Sequence, residues 1–261
     1  MSTSKCRNGR LCNRIIRNIA LSIIAEKNDL FANYADYNLI NNVIGINLYI
    51  GNNSYNSKMI VHDEDYNKLL DKKITCNLDF TWDFFQKYDI SNKVFDFLRS
   101  EKIKNSIIKK NPFNSRYNNN NDLFIHIRLG DVPRFSPGIS YFISCIKSIH
   151  HDNLFIGTDT VNHKNIKKLK YLFPYLKIVE KKDFKTIQFG STCKKIVLSH
   201  GTFSAVTGYI GFFSDVYYPG WKPIKNWCPY NLFLNKQWTP IIHLKRNQMY
   251  KELVKKVQNK S

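Results

Sequence analysis

The chain has 261 residues, 43% of them apolar, and a formal net charge of +20 at pH 7. That length buries a substantial core, as one large domain or two compact ones. No apolar run approaches the roughly 20 residues of a bilayer span, which excludes a spanning helix in this sequence. The charge attracts any polyanion, whether nucleic acid, anionic lipid or diphosphate nucleotide, and so does not choose a function. Cys6, Cys12, Cys76, Cys145, Cys193 and Cys228 lie far apart, with neither a CxxC pair nor zinc-finger spacing, and read as free thiols. No charged-then-apolar signal stands at the start, so the expectation is a soluble, cytoplasmic protein.

In chain order, Gly9 ends a polar leader, and Leu11 to Ala25 repeats apolar residues at helical spacing that can open a nucleotide-type lobe. Ile40 to Phe97 mixes aromatics, asparagines and charges without a clean period and reads as mixed α/β. Asn111 to Asp122 contains Pro112 and the run Asn118 to Asn121, reads as a linker, and divides residues 1–117 from 118–240. Then the pattern becomes regular. Leu123 to Ile127 is a strand, Ile139 to Ile149 a helix, Leu154 to Ile156 a strand, and Asn165 to Leu172 a helix. Leu176 to Val179 and Ile196 to Leu198 are further strands, Thr202 to Phe213 has helical length, and Val216 to Tyr218 closes the sheet. After Pro240, Leu244 to Val257, within residues 241–261, is a basic amphipathic helix, either packed on the body or docked on an anionic membrane.

Alternating strands and helices of these lengths imply a parallel sheet covered on both faces, and such sheets bind ligands outside the carboxyl ends of their strands. The distinctive polar residues stand there: Arg128 to Asp131, Thr158 with Asp159, and Ser199 to Ser204. Strand alternation puts His126 and Arg128 on one side, and Gly130 lets the backbone turn. An arginine at that place suits a diphosphate, because its planar fork donates paired charge-assisted hydrogen bonds. The same residues also fit a buried histidine, an Arg128–Asp131 ion pair and a plain turn. Thr202 to Ser204, at a predicted helix start, offer amides and hydroxyls to an anion. Asp159 suits a ribose or guanine contact, or the N-cap of a helix starting near Asn162.

His126, Arg128, Gly130 and Asp131 resemble the HxRRGD signature of the α-1,2- and α-1,6-fucosyltransferases and related protein O-fucosyltransferases, which opens their donor lobe. Gly9-Arg10-Leu11-Cys12-Asn13-Arg14 is similar to their GGLGNQ or GRFGNQ loop, whose asparagine faces the donor. Ser199-His200-Gly201-Thr202-Phe203-Ser204 is similar to their SNSTFSWW segment, and Phe155-Ile156-Gly157-Thr158-Asp159 resembles FxxSDD. The blocks keep family order across residues 9 to 213.

The resemblance implies an α/β fold of two Rossmann-like lobes, the GT-B plan, with the donor site in the C-terminal lobe. It further implies inverting, metal-independent transfer of fucose from GDP-fucose to a glycan hydroxyl, without a cofactor beyond the donor. Arg128 and Asp131 are then the catalytic residues. Gly9, Asn13, His126, Thr158, Asp159, Thr202, Phe203 and Ser204 bind substrate. Asp63-Glu64-Asp65, the literal DxD-type triplet, lies away from any predicted donor-lobe strand end and reads as a surface loop. The departures are Leu129 for the second arginine, Cys12 and Arg14 in the first loop, and Ala205 and Val206 in place of tryptophans. They leave room for another nucleotide sugar, or for an inactive relative acting as a binding module. A nucleic-acid-binding protein would fit the charge, but the chain has no zinc, helix-turn-helix or RNP-like signature.

Overall fold

A computed structural model describes residues 1–6, 8–131, 135–220, 228–234 and 237–241. Among these, β1 (Ser2–Thr3), β2 (Ala32–Asn33), β3 (Lys58–Ile60) and β4 (Asn77–Asp79) form a four-stranded parallel sheet in the order β2-β1-β4-β3. The start of the chain is therefore an inner strand and not a leader. Ser2 Oγ accepts the Leu78 N–H at 3.0 Å, and Ser4 Oγ donates to Asn18 Oδ1 at 2.7 Å. A strand built on buried serines has no apolar alternation, which is why the sequence pattern hid it.

Helix α1 (Leu11–Asn28) buries Ile15, Ile16, Ile19, Ala20, Leu21, Ile24 and Ala25, which occupy most of its circumference. It also buries Arg17, Asn18 and Ser22, so the helix is enclosed by protein on most sides. It touches β2, α2 (Tyr66–Leu70), α3 (Tyr88–Arg99) and α8 (Gly201–Tyr209), so it packs against both halves of the chain. The helix outlasts the Ala25 expected from its pattern because Asp29, in the left-handed region, closes it with its N–H on Ala25 O.

After α3 and α4 (Glu101–Lys110) the chain enters a second parallel sheet. Its strands are β5 (Leu123–Ile127), β6 (Leu154–Thr158), β7 (Lys177–Ile178), β8 (Lys195–Val197), β9 (Asp215–Pro219) and β10 (Thr239–Ile241), in the order β10-β9-β8-β5-β6-β7. Helices α5 (Ile139–Ser148), α6 (Lys164–Leu172), α7 (Asp183–Gly190) and α8 connect them. The strand–helix alternation follows the reading above, with two elements that it lacked. Helix α7 was hidden because its buried face uses Thr186, Gln188 and Gly190 beside Ile187 and Phe189. Strand β10 extends the sheet beyond β9, and its Pro240 suits an edge.

All five residues of β5 are buried. Leu123, Ile125 and Ile127 join the cluster with α5 and α6, whereas Phe124 joins the cluster containing α1, α7 and α8. From β5 the chain proceeds through β6 to β7 on one side, then crosses to β8, β9 and β10 on the other. The order thus reverses between β5 and β8, where open α/β sheets form their ligand crevice.

The asparagine-rich stretch before β5 is not a solvated linker. Asn111 is buried and donates Nδ2 to Gln188 O at 2.9 Å, and Asn120 Oδ1 accepts the N–H groups of Asp122 and Lys194. Arg116 pairs with Asp122 at 2.7 Å and lies over the Phe189 ring. Asparagine side chains that replace backbone partners make such a segment ordered despite its polarity. The basic stretch from Leu244 to Val257 lies outside the described residues. Among the described residues no helix is long and apolar enough to cross a membrane.

Candidate active site

A cleft opens at the carboxyl ends of β5, β6 and β7 and the start of α8, facing the loop that precedes α1. Asn13, His126, Arg128, Thr158, Asp159, Thr202 and Phe203 all line it, so residues far apart in sequence converge on one cleft. Gly9, expected to bind substrate, is not among the lining residues but packs against Asn13, which is. Its φ is +85°, and a Cβ there would lie 2.7 Å from Asn13 Cβ, so a side chain is strained on both counts. Gln86 donates Nε2–H to Asn13 Oδ1 at 2.9 Å and fixes that amide.

His126 is buried and stacks on Phe203, ring centroids 4.4 Å apart. Its Nδ1 lies 2.6 Å from Ser204 Oγ, which also accepts the Ser199 N–H at 3.0 Å. We assign the hydroxyl proton to Nδ1, which leaves the ring proton on Nε2. Burial, followed by the effect of His200, lowers the imidazole pKa to about 3, so the ring is neutral at physiological pH. Ser204, expected to meet substrate, does not line the cleft. Its side chain is fully buried, with the hydroxyl committed to His126 and Ser199, and it braces the wall from behind.

Arg128 continues the phase of Phe124 and His126 toward α8. Its Nε and Nη2 donate to the two oxygens of Asp131 at 2.9 and 2.7 Å. Arg10, from the other lobe, approaches the same carboxylate at 3.3 Å. The paired hydrogen bonds from Arg128, with the charge of Arg10, hold the Asp131 carboxyl below its usual range, which makes it a weak base and a firm clamp. The remaining Arg128 nitrogen, Nη1, lies 2.7 Å from where a Gly201 Cβ would sit. Leu129 alternates to the other face and is buried with α5 and α6, so the chain spends on core packing the position where the signature has its second arginine.

Helix α8 begins at Gly201 after an extended His200, with no side-chain cap on its first amides. Thr202 and Phe203, in its first turn, line the cleft, so the positive end of the helix adjoins it. Asp159 plays another part than a helix cap: its oxygens accept the N–H groups of Leu129 at 2.9 Å and Gly130 at 3.1 Å. The following helix is capped by His163 instead. Thr158 Oγ1 accepts the Thr160 N–H at 3.3 Å at the same rim.

Sequence reasoning missed the wall beyond β7, where Val179, Lys181, Asp183 and Thr186 line the cleft. The signal was present, since Lys181 to Asp183 follow a strand as the other polar clusters do. Arg10, Leu11 and Cys12 also line it, and burial pushes the Cys12 thiol far up.

No protein-family model and no curated protein matches the chain. The α-1,6-fucosyltransferase NodZ, in a crystal soaked with GDP-fucose, superposes with a TM-score of 0.52 at 10% identity, over 82% of this chain and 93% of that one. The chain has the GT-B fold. A NodZ structure from Bradyrhizobium gives a TM-score of 0.48 at 12% identity, over 82% of this chain and 94% of that one. The E. coli heptosyltransferase WaaC with ADP gives 0.49 at 10% identity, over 100% and 99%.

The cleft lies on the carboxyl edge of the six-stranded sheet. Asp63, of the acidic triplet, is not on this cleft; its Oδ1 accepts the Phe85 N–H, and its own N–H goes to Asp83 Oδ2. Among the described residues no group of three or more His, Cys, Asp or Glu side chains is placed to hold a metal.

Proposed function

We propose that the protein transfers fucose from GDP-fucose to a hydroxyl of a glycan acceptor, with inversion and without a metal. The observation that carries this reading is the convergence of Arg128, His126 and the uncapped start of α8 at the point where strand order reverses. In this reading the donor diphosphate lies between Arg128 Nη1 and the amides at Thr202 and Phe203. His126 offers its Nε2–H from the strand side, and Asn13 closes the pocket from the other lobe. Negative charge grows on the diphosphate as the sugar–oxygen bond breaks, and fixed donors aimed at that charge lower the barrier. Asp131 holds Arg128 in place and takes no proton. The α-1,2 linkage is taken from the resemblance of the sequence blocks alone.

Leu129 favours a second reading, transfer from another nucleotide sugar, because the diphosphate here meets one arginine where the signature has two. Incubation of the full chain with GDP-fucose, UDP-galactose or ADP-heptose and a glycan library, in EDTA, separates the readings. Mass spectrometry is expected to find added deoxyhexose with GDP-fucose. Product from either other donor alone supports the second reading.

A further inference from the structure

Transfer to a hydroxyl needs a group that takes its proton, and two carboxylates near Arg128 are committed elsewhere. Asp131 is clamped by Arg128 and Arg10, and Asp159 accepts two loop amides. The opposing lobe offers a different pair. Strands β1, β3 and β4 run parallel, so the loops that follow them leave the same edge of the four-stranded sheet. The loop after β1 brings Arg10 to the cleft. The loops after β3 and β4 carry His62 and Asp83, whose Nδ1 and Oδ2 lie 3.1 Å apart.

Asp83 is fixed from two sides: its Oδ2 accepts the Asp63 N–H at 2.9 Å, and its carbonyl oxygen accepts Nε–H of the buried Arg17 at 2.9 Å. Arg17 also donates Nη1–H to Asn8 O at 3.4 Å, which ties the loop after β4 to the loop that brings Arg10 to the cleft. Phe84 packs at that junction. Its ring lies under the Arg17 guanidinium at 5.5 Å, and a Cβ at Gly9 would come within 3.0 Å of it. Phe84 is nonetheless 43% exposed, and Trp82, two residues before it, 64%. Two large rings left open on one loop, beside a polar pair, mark a binding surface. The Asp83 carboxylate accepts the Nδ1–H of exposed His62, and we assign the tautomer from that bond, which leaves a lone pair on Nε2.

We propose that His62, oriented by Asp83, is the base that deprotonates the acceptor hydroxyl, and that Trp82 and Phe84 are the platform on which the acceptor sugar rests. A pyranose has an apolar face of C–H groups that suits an aromatic ring, and hydroxyls at its edge that reach polar neighbours. Histidine exchanges its proton near neutral pH, which fits it to this task. As the bond from the sugar C1 to the diphosphate oxygen breaks, its electron pair stays on the diphosphate. The acceptor oxygen forms the new bond to C1, and its proton passes to His62 Nε2. Asp83 stabilises the imidazolium, which then loses that proton to water. The role rests on the donor site proposed above and names the base that the site itself lacks.

The test compares transfer to a library glycan that the parent modifies with transfer to azide, for the full-length parent, His62→Ala, His62→Gln and Trp82→Ala, with the nucleotide sugar the parent uses. Azide attacks as an anion and needs no base. His62→Ala should lower glycan transfer about a hundredfold to ten-thousandfold, the usual contribution of a positioned base, while glycosyl azide forms at close to the parent rate and GDP affinity is unchanged. His62→Gln keeps a donor toward Asp83 but has no base, and should fall as far. His62 is exposed, so both variants should melt as the parent does. Trp82→Ala should raise the KM for the glycan about two- to tenfold with little change in kcat. Glycan transfer by His62→Ala within about threefold of the parent, against the range expected for a base, would overturn the role and leave the donor site standing. So would glycosyl azide falling as far as glycan transfer. An unchanged KM in Trp82→Ala would overturn the platform. A parent that transfers from no nucleotide sugar would overturn both this role and the transferase reading.

Discussion

Ser204 Oγ lies 2.6 Å from His126 Nδ1 and joins β5 to α8 through a hydroxyl that also receives the Ser199 N–H. Ser204→Ala removes that hydroxyl and leaves two buried polar groups without it, which costs about 1–3 kcal/mol. Urea denaturation should show the loss, and GDP affinity should fall with it because the His126 ring is no longer fixed. Parent-like stability would mean that the bridge contributes nothing.

His126 makes stability depend on pH. Its pKa falls from 6.5 in the unfolded chain to about 3 in the folded one, so between these values only the unfolded chain takes up the proton. Stability contributed here is present above pH 6.5 and is lost as pH drops toward 3, by roughly 1.4 kcal/mol per pH unit inside the window. His200, Asp159 and Arg128 are the charged or titratable neighbours that act on the ring. Asp63 opposes the trend, since burial raises its pKa to about 6 and the folded chain binds that proton first. Denaturation of the parent and His126→Gln between pH 7 and pH 4 separates the two, because Asp63 is common to both. The variant should show the shallower loss on acidification.

Gly201 has φ +83°, and a Cβ at that position would lie 2.7 Å from Arg128 Nη1. Gly201→Ala should cost about 1 kcal/mol in left-handed strain. It should also displace the guanidinium, so GDP affinity should drop more than stability accounts for. Affinity unchanged in a folded Gly201→Ala would separate Arg128 from the ligand.

Arg128→Ala should lower turnover on the order of a hundredfold to a thousandfold, as loss of one charge-stabilising donor does. Arg128→Lys keeps the charge but neither the fork nor the two-point hold on Asp131, and should restore part of the rate. Turnover by Arg128→Ala within about threefold of the parent contradicts the role, given that range.

The C-terminal lobe was legible because β5, β6 and β8 are apolar runs whose ends carry the polar residues of the cleft. His126 and Arg128 share a wall, as strand alternation requires. The N-terminal sheet was not legible, because β1 is a serine and a threonine and the other strands are two or three residues long. Ser204 was misplaced for a different reason. A helix start offers both cleft-facing and inward positions, and only the observed bonds to His126 and Ser199 show which one it takes. Asp183 went unread because α7 buries polar residues and lacks the period that marks a helix.

The most direct measurement is a calorimetric titration of the parent chain with GDP in excess EDTA, repeated with Arg128→Ala. The expected result is GDP binding that is unchanged by EDTA and falls by tenfold or more in the variant, about 1.4 kcal/mol. Absence of GDP binding by the parent, or equal binding by the parent and a folded Arg128→Ala, contradicts a metal-independent donor site built on Arg128.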